Sequence, residues 1–176
     1  MKRGNMGIVR INHAVLYVRD ARRQARFYEE VLGFETIIAD PEGHVAFMRT
    51  PDSDNDHDIG FMSVGTSATL SAAGRTSVGL YHLAWEVPTL RDLATYRERL
   101  LAANAFVGES DHGVTKALYA FDPDEIEFEL MWLVPPELYD PVTDPVGTRP
   151  LNLTREIERF GSDTRSSRNP LPVQDR

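Results

Sequence analysis

The chain has 176 residues, 41% of them hydrophobic, with 27 acidic against 19 basic side chains, five histidines and no cysteine. The lack of cysteine excludes disulfides, thiolate–zinc sites, iron–sulfur clusters and cysteine nucleophiles, and a net charge of -8 argues against a phosphate-backbone binder, whose affinity comes from Lys and Arg. No run approaches the roughly 18–20 apolar residues of a membrane span, and residues 1–9 lack the apolar stretch of a secretory signal, so a cytoplasmic protein with neither nucleic-acid nor membrane partners is expected.

From Arg10 apolar residues fall on both parities, Ile11, Val15 and Tyr17 with His13 on one and Ala14, Leu16 and Val18 on the other, the pattern of a strand covered on both faces. Asp20 is placed to cap a helix over Ala21–Leu32, with Ala25, Tyr28 and Val31/Leu32 along its apolar stripe and Gly33 at the left-handed position that ends it. Three short strands are predicted around Phe34–Ala39, Val45–Arg49 and Ile59–Val64. A Ser, Thr, Ala and Gly-rich connector over Ser63–Ser77 follows, and then the first pattern returns. Placing His82 over His13, an offset of 69, puts Leu80 over Ile11, Val87 over Val18, Thr89 over Asp20 and Tyr96 over Phe27. A second helix is predicted from Leu90 through Leu101, then strands near Phe106, Val114–Phe121 and Ile126–Leu133. The sequence therefore reads as an internal repeat of β-α-β-β-β. Residues 1–134 form one domain of two modules, about 8–65 and 78–134, and 135–176 form a proline-rich extended tail with one short helix near Leu151–Arg159. Residues 161–176 are polar and read as mobile. The tail is expected to wrap this domain or a second subunit, and with the small size it points to a homo-oligomer.

Chemistry concentrates on the repeat. A lone histidine on an apolar run is most often a hydrogen-bonded core residue, but His13 and His82 are equivalent in two repeated strands, each midway along its apolar run, where neutral imidazoles can converge on one ion. In the last strand Ile126, Phe128, Leu130 and Trp132 form one face and Glu125, Glu127, Glu129 and Met131 the other. Carboxylates turned inward are expensive unless a cation sits among them. Two histidines and a carboxylate form a facial triad suited to Fe(II) or Mn(II), with positions open for substrate and oxygen. Subtracting 69 from Glu129 gives Gly60, which has no side chain to ligate, so a fourth protein ligand is missing and the site is open.

These residues resemble the vicinal oxygen chelate (glyoxalase/bleomycin resistance/dioxygenase) superfamily, and within it the type I extradiol dioxygenases such as the catechol 2,3-dioxygenases. The resemblance runs from about Ile11 to Leu133 and implies an α+β fold of two tandem βαβββ modules forming a curved mixed sheet around a metal site, with an irregular C-terminal tail. It implies His13, His82 and Glu129 as metal ligands, with Glu127, of the same parity, as the fallback. Glu129 follows Asp122 at the family's spacing of seven, although Glu125 and Ile126 replace the Gly-Asn of its Asp-Pro-Asp-Gly-Asn turn. Three further residues match the extradiol enzymes: His57, four before Phe61, His112 in a His-Gly segment, and Tyr119, three before Asp122. The activity implied is cleavage of a small aromatic diol by O2, as in aromatic hydrocarbon catabolism, with His57 in proton transfer and His112 and Tyr119 holding the diol oxygens. Phe47, Phe61, Trp85 and Val114 are candidates for the pocket wall, and His44 is structural or a lining residue. Two alternatives stay open, another metal-dependent member such as a fosfomycin-resistance-type thiol transferase or an isomerase, and a metal-free binding protein of the bleomycin-resistance type.

Overall fold

In the computed structural model residues 7–8 and 10–167 are described. The reading of residues 1–9 lies almost wholly outside them, as does the part of the tail from 168 on. The chain divides into two compact units, residues 1–68 and 69–176, and each folds as βαβββ with its own mixed sheet.

In the first unit β1 (Ala14–Val18) leads to Asp20, whose carboxylate accepts the Arg23 amide at 3.0 Å and so caps α1 (Ala21–Phe27). The predicted helix continues to Leu32, but residues Tyr28–Leu32 widen into a π turn before Gly33 ends it at φ 76. β2 (Glu35–Ala39), β3 (Val45–Arg49) and β4 (Ile59–Ser63) follow, and the sheet order is β1-β4-β3-β2 with β1 parallel to β4. Helix α1 packs on one face, where Val18, Tyr28, Met48, Ile59 and Phe61 are buried. Val15 and Tyr17 project from the other face of β1 and are exposed.

The second unit repeats the plan. β5 (His82–Glu86) runs into Thr89, whose hydroxyl accepts the Asp92 amide and donates to the Asp92 carboxylate, capping α2 (Leu90–Ala102). β6 (Phe106–Asp111), β7 (Thr115–Phe121) and β8 (Glu127–Leu133) complete the module, and the two-residue β9 (Arg149–Pro150) adds an edge, giving the order β5-β8-β7-β6-β9. The registers match across the repeat: Ala14 pairs Ile59 and Val15 pairs Gly60, while Leu83 pairs Phe128 and Ala84 pairs Glu129. The offset of 69 thus survives the intervening loops, and Gly60 is the counterpart of Glu129.

The tail belongs to the second unit. Asn152 caps α3 (Leu153–Phe160) by accepting the Arg155 amide, and Phe160 packs on Trp132 with ring centroids 5.4 Å apart. Residues 161–167, read from sequence as the start of a mobile end, are instead pinned. The Trp132 indole donates to the Thr164 carbonyl at 3.0 Å, the Leu133 amide to the Ser166 hydroxyl, and the Ser166 amide to the Pro88 carbonyl.

Candidate functional site

His82 opens β5 directly opposite Glu127 on β8, and Glu129 lies two pairs further along, on the same face as Glu127. The imidazole is bracketed by the two carboxylates, Nε2 at 3.1 Å from Glu129 Oε2 and Nδ1 at 3.6 Å from Glu127 Oε1. Both glutamates leave β8 on the face opposite Phe128, Leu130 and Trp132, which are core residues, as the alternation predicts. Tyr119 pairs with Glu129 across β7 and β8, and its hydroxyl lies 2.8 Å from His112 Nε2. His112 Nδ1 in turn lies 3.0 Å from the Gly147 carbonyl oxygen. These groups line a cavity of about 670 Å³ together with Tyr81, Val107, Glu109, Ser110 and Thr148.

The electrostatics are those of an anionic pocket. Burial pushes the Glu129 carboxyl up, against the opposing charges of His82 and His112 and a hydrogen bond from Tyr119. Burial, then the Glu129 charge, pushes the Tyr119 hydroxyl up to about 12, so it stays protonated. The Glu127 charge raises the Tyr81 hydroxyl. His82 Nδ1 and Glu127 Oε1 are buried without hydrogen-bond partners. A divalent cation fits this donor set. Metal–ligand bonds of about 2.1 Å at a right angle put adjacent ligand atoms about 3.0 Å apart, close to the His82–Glu129 separation. Glu127 lies 3.6 Å from Nδ1, beyond hydrogen-bond reach, and Nε2 is the His82 nitrogen that lies beside Glu129.

In the first unit His13 immediately precedes β1 and is exposed. Neither His13 nor His82 sits midway along its strand, because Ile11 and Leu80 are apolar yet lie before the ladders begin and are exposed. The His13 Nδ1–H donates to the Asn12 amide oxygen at 2.8 Å, which leaves Nε2 unblocked. His57 lies two residues before β4, its ring 4.3 Å from that of His13 and 4.8 Å from that of Phe47. The Asp58 carboxylate anchors this loop by accepting from Thr50, Ser53 and Asn55. Phe47 pairs with Gly60, and a Cβ built on Gly60 would meet the Phe47 ring at 2.8 Å. The position equivalent to Glu129 is therefore filled by an aromatic ring.

The structure thus brings His82, Glu129, His112 and Tyr119 together in one unit and His13 with His57 in the other. Phe61 is not a pocket residue: it is fully buried on the helix side, 4.9 Å from the Tyr28 ring. Trp85 and Val114 are also absent from the cavity wall. His44 is exposed on a turn, 3.0 Å from Asp40, and with Glu42 these make the one grouping of three or more such residues, among the described residues, whose ligand atoms all lie within 4.8 Å of one another. Sequence reading missed Tyr81, Thr148 and the Gly147 carbonyl. Tyr81 was signalled by its place beside His82, whereas nothing local marks the two tail residues.

The turn before β8 keeps its form despite its changed residues. The Asp122 carboxylate accepts the amides of Asp124 and Ile126, and Glu125 takes the left-handed conformation at φ 59, where the family's glycine would be at ease. Glu125→Gly should therefore raise unfolding stability by up to about 1 kcal/mol, measured by urea titration. A loss would show that the Glu125 side chain has a compensating contact.

The family model of the Glyoxalase/Bleomycin resistance protein/Dioxygenase superfamily matches residues 10–130. The chain belongs to this superfamily. Among curated superfamily relatives it is similar to the catechol-2,3-dioxygenase of Bacillus subtilis (strain 168), 30% identical over 115 residues, which are 65% of this chain and 38% of that protein. The chain thus spans less than half the length of that relative. Among solved structures it is similar to a glyoxylase/bleomycin resistance protein/dioxygenase domain from Frankia sp. EAN1pec, at 24% identity and a TM-score of 0.59 over 73% of this chain and 94% of that one. It is also similar to the fosfomycin resistance protein FosX from Mesorhizobium loti, at 21% identity and a TM-score of 0.52 over 71% and 92%. These likenesses are likenesses of fold.

Proposed function

We propose that the chain is an extradiol dioxygenase that opens the ring of a small aromatic diol with O2, using Fe(II), with Mn(II) acceptable to the same donors. The observation that carries this reading is the His112–Tyr119 pair, 2.8 Å apart and in register with Glu129 on the wall of a cavity that also holds His82. A plain metal site has no need of a tyrosine hydroxyl held by a histidine beside it, whereas a diol whose oxygens must be oriented does. The likeness to a catechol-2,3-dioxygenase supports the same substrate class.

In this reading His82 and Glu129 are metal ligands. His13 is the third, supported by the repeat that makes it the counterpart of His82 and by its Nε2, which the Asn12 contact leaves unblocked. A metal held by these residues would supply positive charge that acidifies the diol hydroxyls. Tyr119, protonated throughout the physiological range, turns its proton to His112 Nε2 and offers its hydroxyl oxygen as acceptor to a diol O–H, and His112 holds Tyr119 in place. His57, seated between the His13 and Phe47 rings, takes and returns a proton through its free ring nitrogens. A homo-oligomer in the cytoplasm belongs to the same proposal; no helix among the described residues is long and apolar enough to cross a membrane.

The test is oxygen uptake by protein reconstituted anaerobically with ferrous ion, across monocyclic and bicyclic catechols, with the yellow ring-cleaved product followed by absorbance. Metal binding without uptake on any diol would reject the dioxygenase, and absence of metal binding would favour a metal-free binding protein. His57→Phe should lower turnover about 100-fold with metal content unchanged. Unaltered turnover would remove His57 from the mechanism.

A further inference from the structure

The tail segment Asp144–Pro150 lies directly against the turn that carries His112, between β6 and β7. β9 pairs Arg149 with Asp111 and Pro150 with Ser110. The Arg149 guanidinium donates to the Pro145 carbonyl at 2.6 Å and reaches Asp111 Oδ2 at 3.5 Å. The other end is held by Asp144, whose two carboxylate oxygens each accept from Arg159 of α3 at 2.6 Å. Between them Gly113 makes room: it stands at φ 81, and a Cβ there would lie 2.5 Å from the Asp144 carbonyl oxygen and 2.9 Å from that of Pro145. The glycine following His112 thus lets the tail backbone close over the turn, and this delivers the Gly147 carbonyl to His112 Nδ1.

We propose that this segment is a strap that positions His112 by fixing its tautomer. A carbonyl oxygen only accepts, so Nδ1 must carry the proton, and the Thr148 hydroxyl at 3.3 Å can accept from the same N–H. In the neutral ring Nε2 is then an acceptor, and the Tyr119 hydroxyl at 2.8 Å turns its single proton to it rather than to the Glu129 carboxylate it also reaches. Without the strap, neutral histidine in water prefers the proton on Nε2, and that N–H would turn Tyr119 from donor into acceptor. His112 and Gly147 lie 35 positions apart, so the arrangement is a tertiary one. Arg149 and Gly113 are positioning residues that act through His112. The catalytic consequence rests on the proposed diol chemistry; the tautomer does not.

The experiment is long-range proton–nitrogen NMR on protein with 15N-labelled histidine, at about pH 9 where imidazoles are neutral. The His112 signals are assigned by their loss in His112→Gln. The wild type should show His112 as the Nδ1–H form. Arg149→Gln and Gly113→Ala should shift it toward Nε2–H and lower kcat on a cleaved catechol about tenfold, with KM moving less, and Arg149→Lys should restore both. Should Gly113→Ala fail to fold, Arg149→Gln carries the test, because Arg149 is partly exposed on an edge. A wild-type Nε2–H ring, or a tautomer indifferent to Arg149→Gln, overturns the proposal. A protein that cleaves no diol yet shows the Arg149-sensitive Nδ1–H form supports the strap and rejects the substrate reading.

Discussion

Replacing Lys116 with alanine should destabilise the second unit by about 3–5 kcal/mol, the cost of stripping the counter-charge from buried carboxylates. The Lys116 side chain is fully buried on β7 and donates to Asp111 Oδ1 at 2.6 Å. It also lies 3.3 Å from Glu156 Oε2 of α3, an ion pair without hydrogen-bond geometry, and 5.7 Å above the Phe160 ring. Glu156 is fully buried and Asp111 nearly so. In alanine's place both would face a cavity, with Arg155 and Arg149 reaching them only from the periphery. Urea unfolding gives the number, and limited proteolysis should show earlier cleavage around residues 140–150, because the same cluster anchors the helix beyond the strap. The double variant Lys116→Met, Glu156→Gln removes both charges and keeps the volume, so it should recover part of the loss. A cost below about 1 kcal/mol would put the cluster among hydrated surface pairs.

Lys116 also marks where local pattern stops informing. It shares parity with Leu118 and Ala120 in a strand whose limits periodicity found to within a residue, yet its partners lie at the end of the preceding strand and on a helix 40 positions after it. Strand alternation placed Glu127 and Glu129 opposite the core residues of β8, and the repeat placed His82 against them, because both depend on neighbours two residues or one register apart. The same reasoning put the two histidines too deep in their strands, since apolar Ile11 and Leu80 extend the pattern past the last ladder pair. It left the tail as a wrap without a destination. The contacts of Gly147, Thr148 and Ser166 are backbone and hydroxyl hydrogen bonds, and these have no hydrophobic period to betray them.

Glu129→Gln should raise the stability of the metal-free protein at neutral pH and abolish its stabilisation by metal. Burial lifts the Glu129 carboxyl above its ordinary value, so the folded state holds the proton more tightly than the unfolded chain. The stability lent by that proton is fully present below the ordinary glutamate value of about 4.3 and is lost as pH rises through the raised folded value. Glutamine keeps the shape of the protonated form at every pH. The variant should therefore melt above metal-free wild type at pH 7, and the gap should close as pH falls toward 4. Metal reverses the order: at a hundredfold excess over Kd it stabilises wild type by about 2.7 kcal/mol, while a protein lacking one of its charged ligands gains little. Thermal melts with and without Mn(II) read both effects without any turnover. A purely structural Glu129 would give the opposite pattern, a lower metal-free midpoint with the metal shift intact. Running Glu127→Gln beside it separates the two carboxylates, because the residue that ligates is the one whose loss erases the shift, while the other, 3.6 Å from Nδ1 of His82, only weakens it.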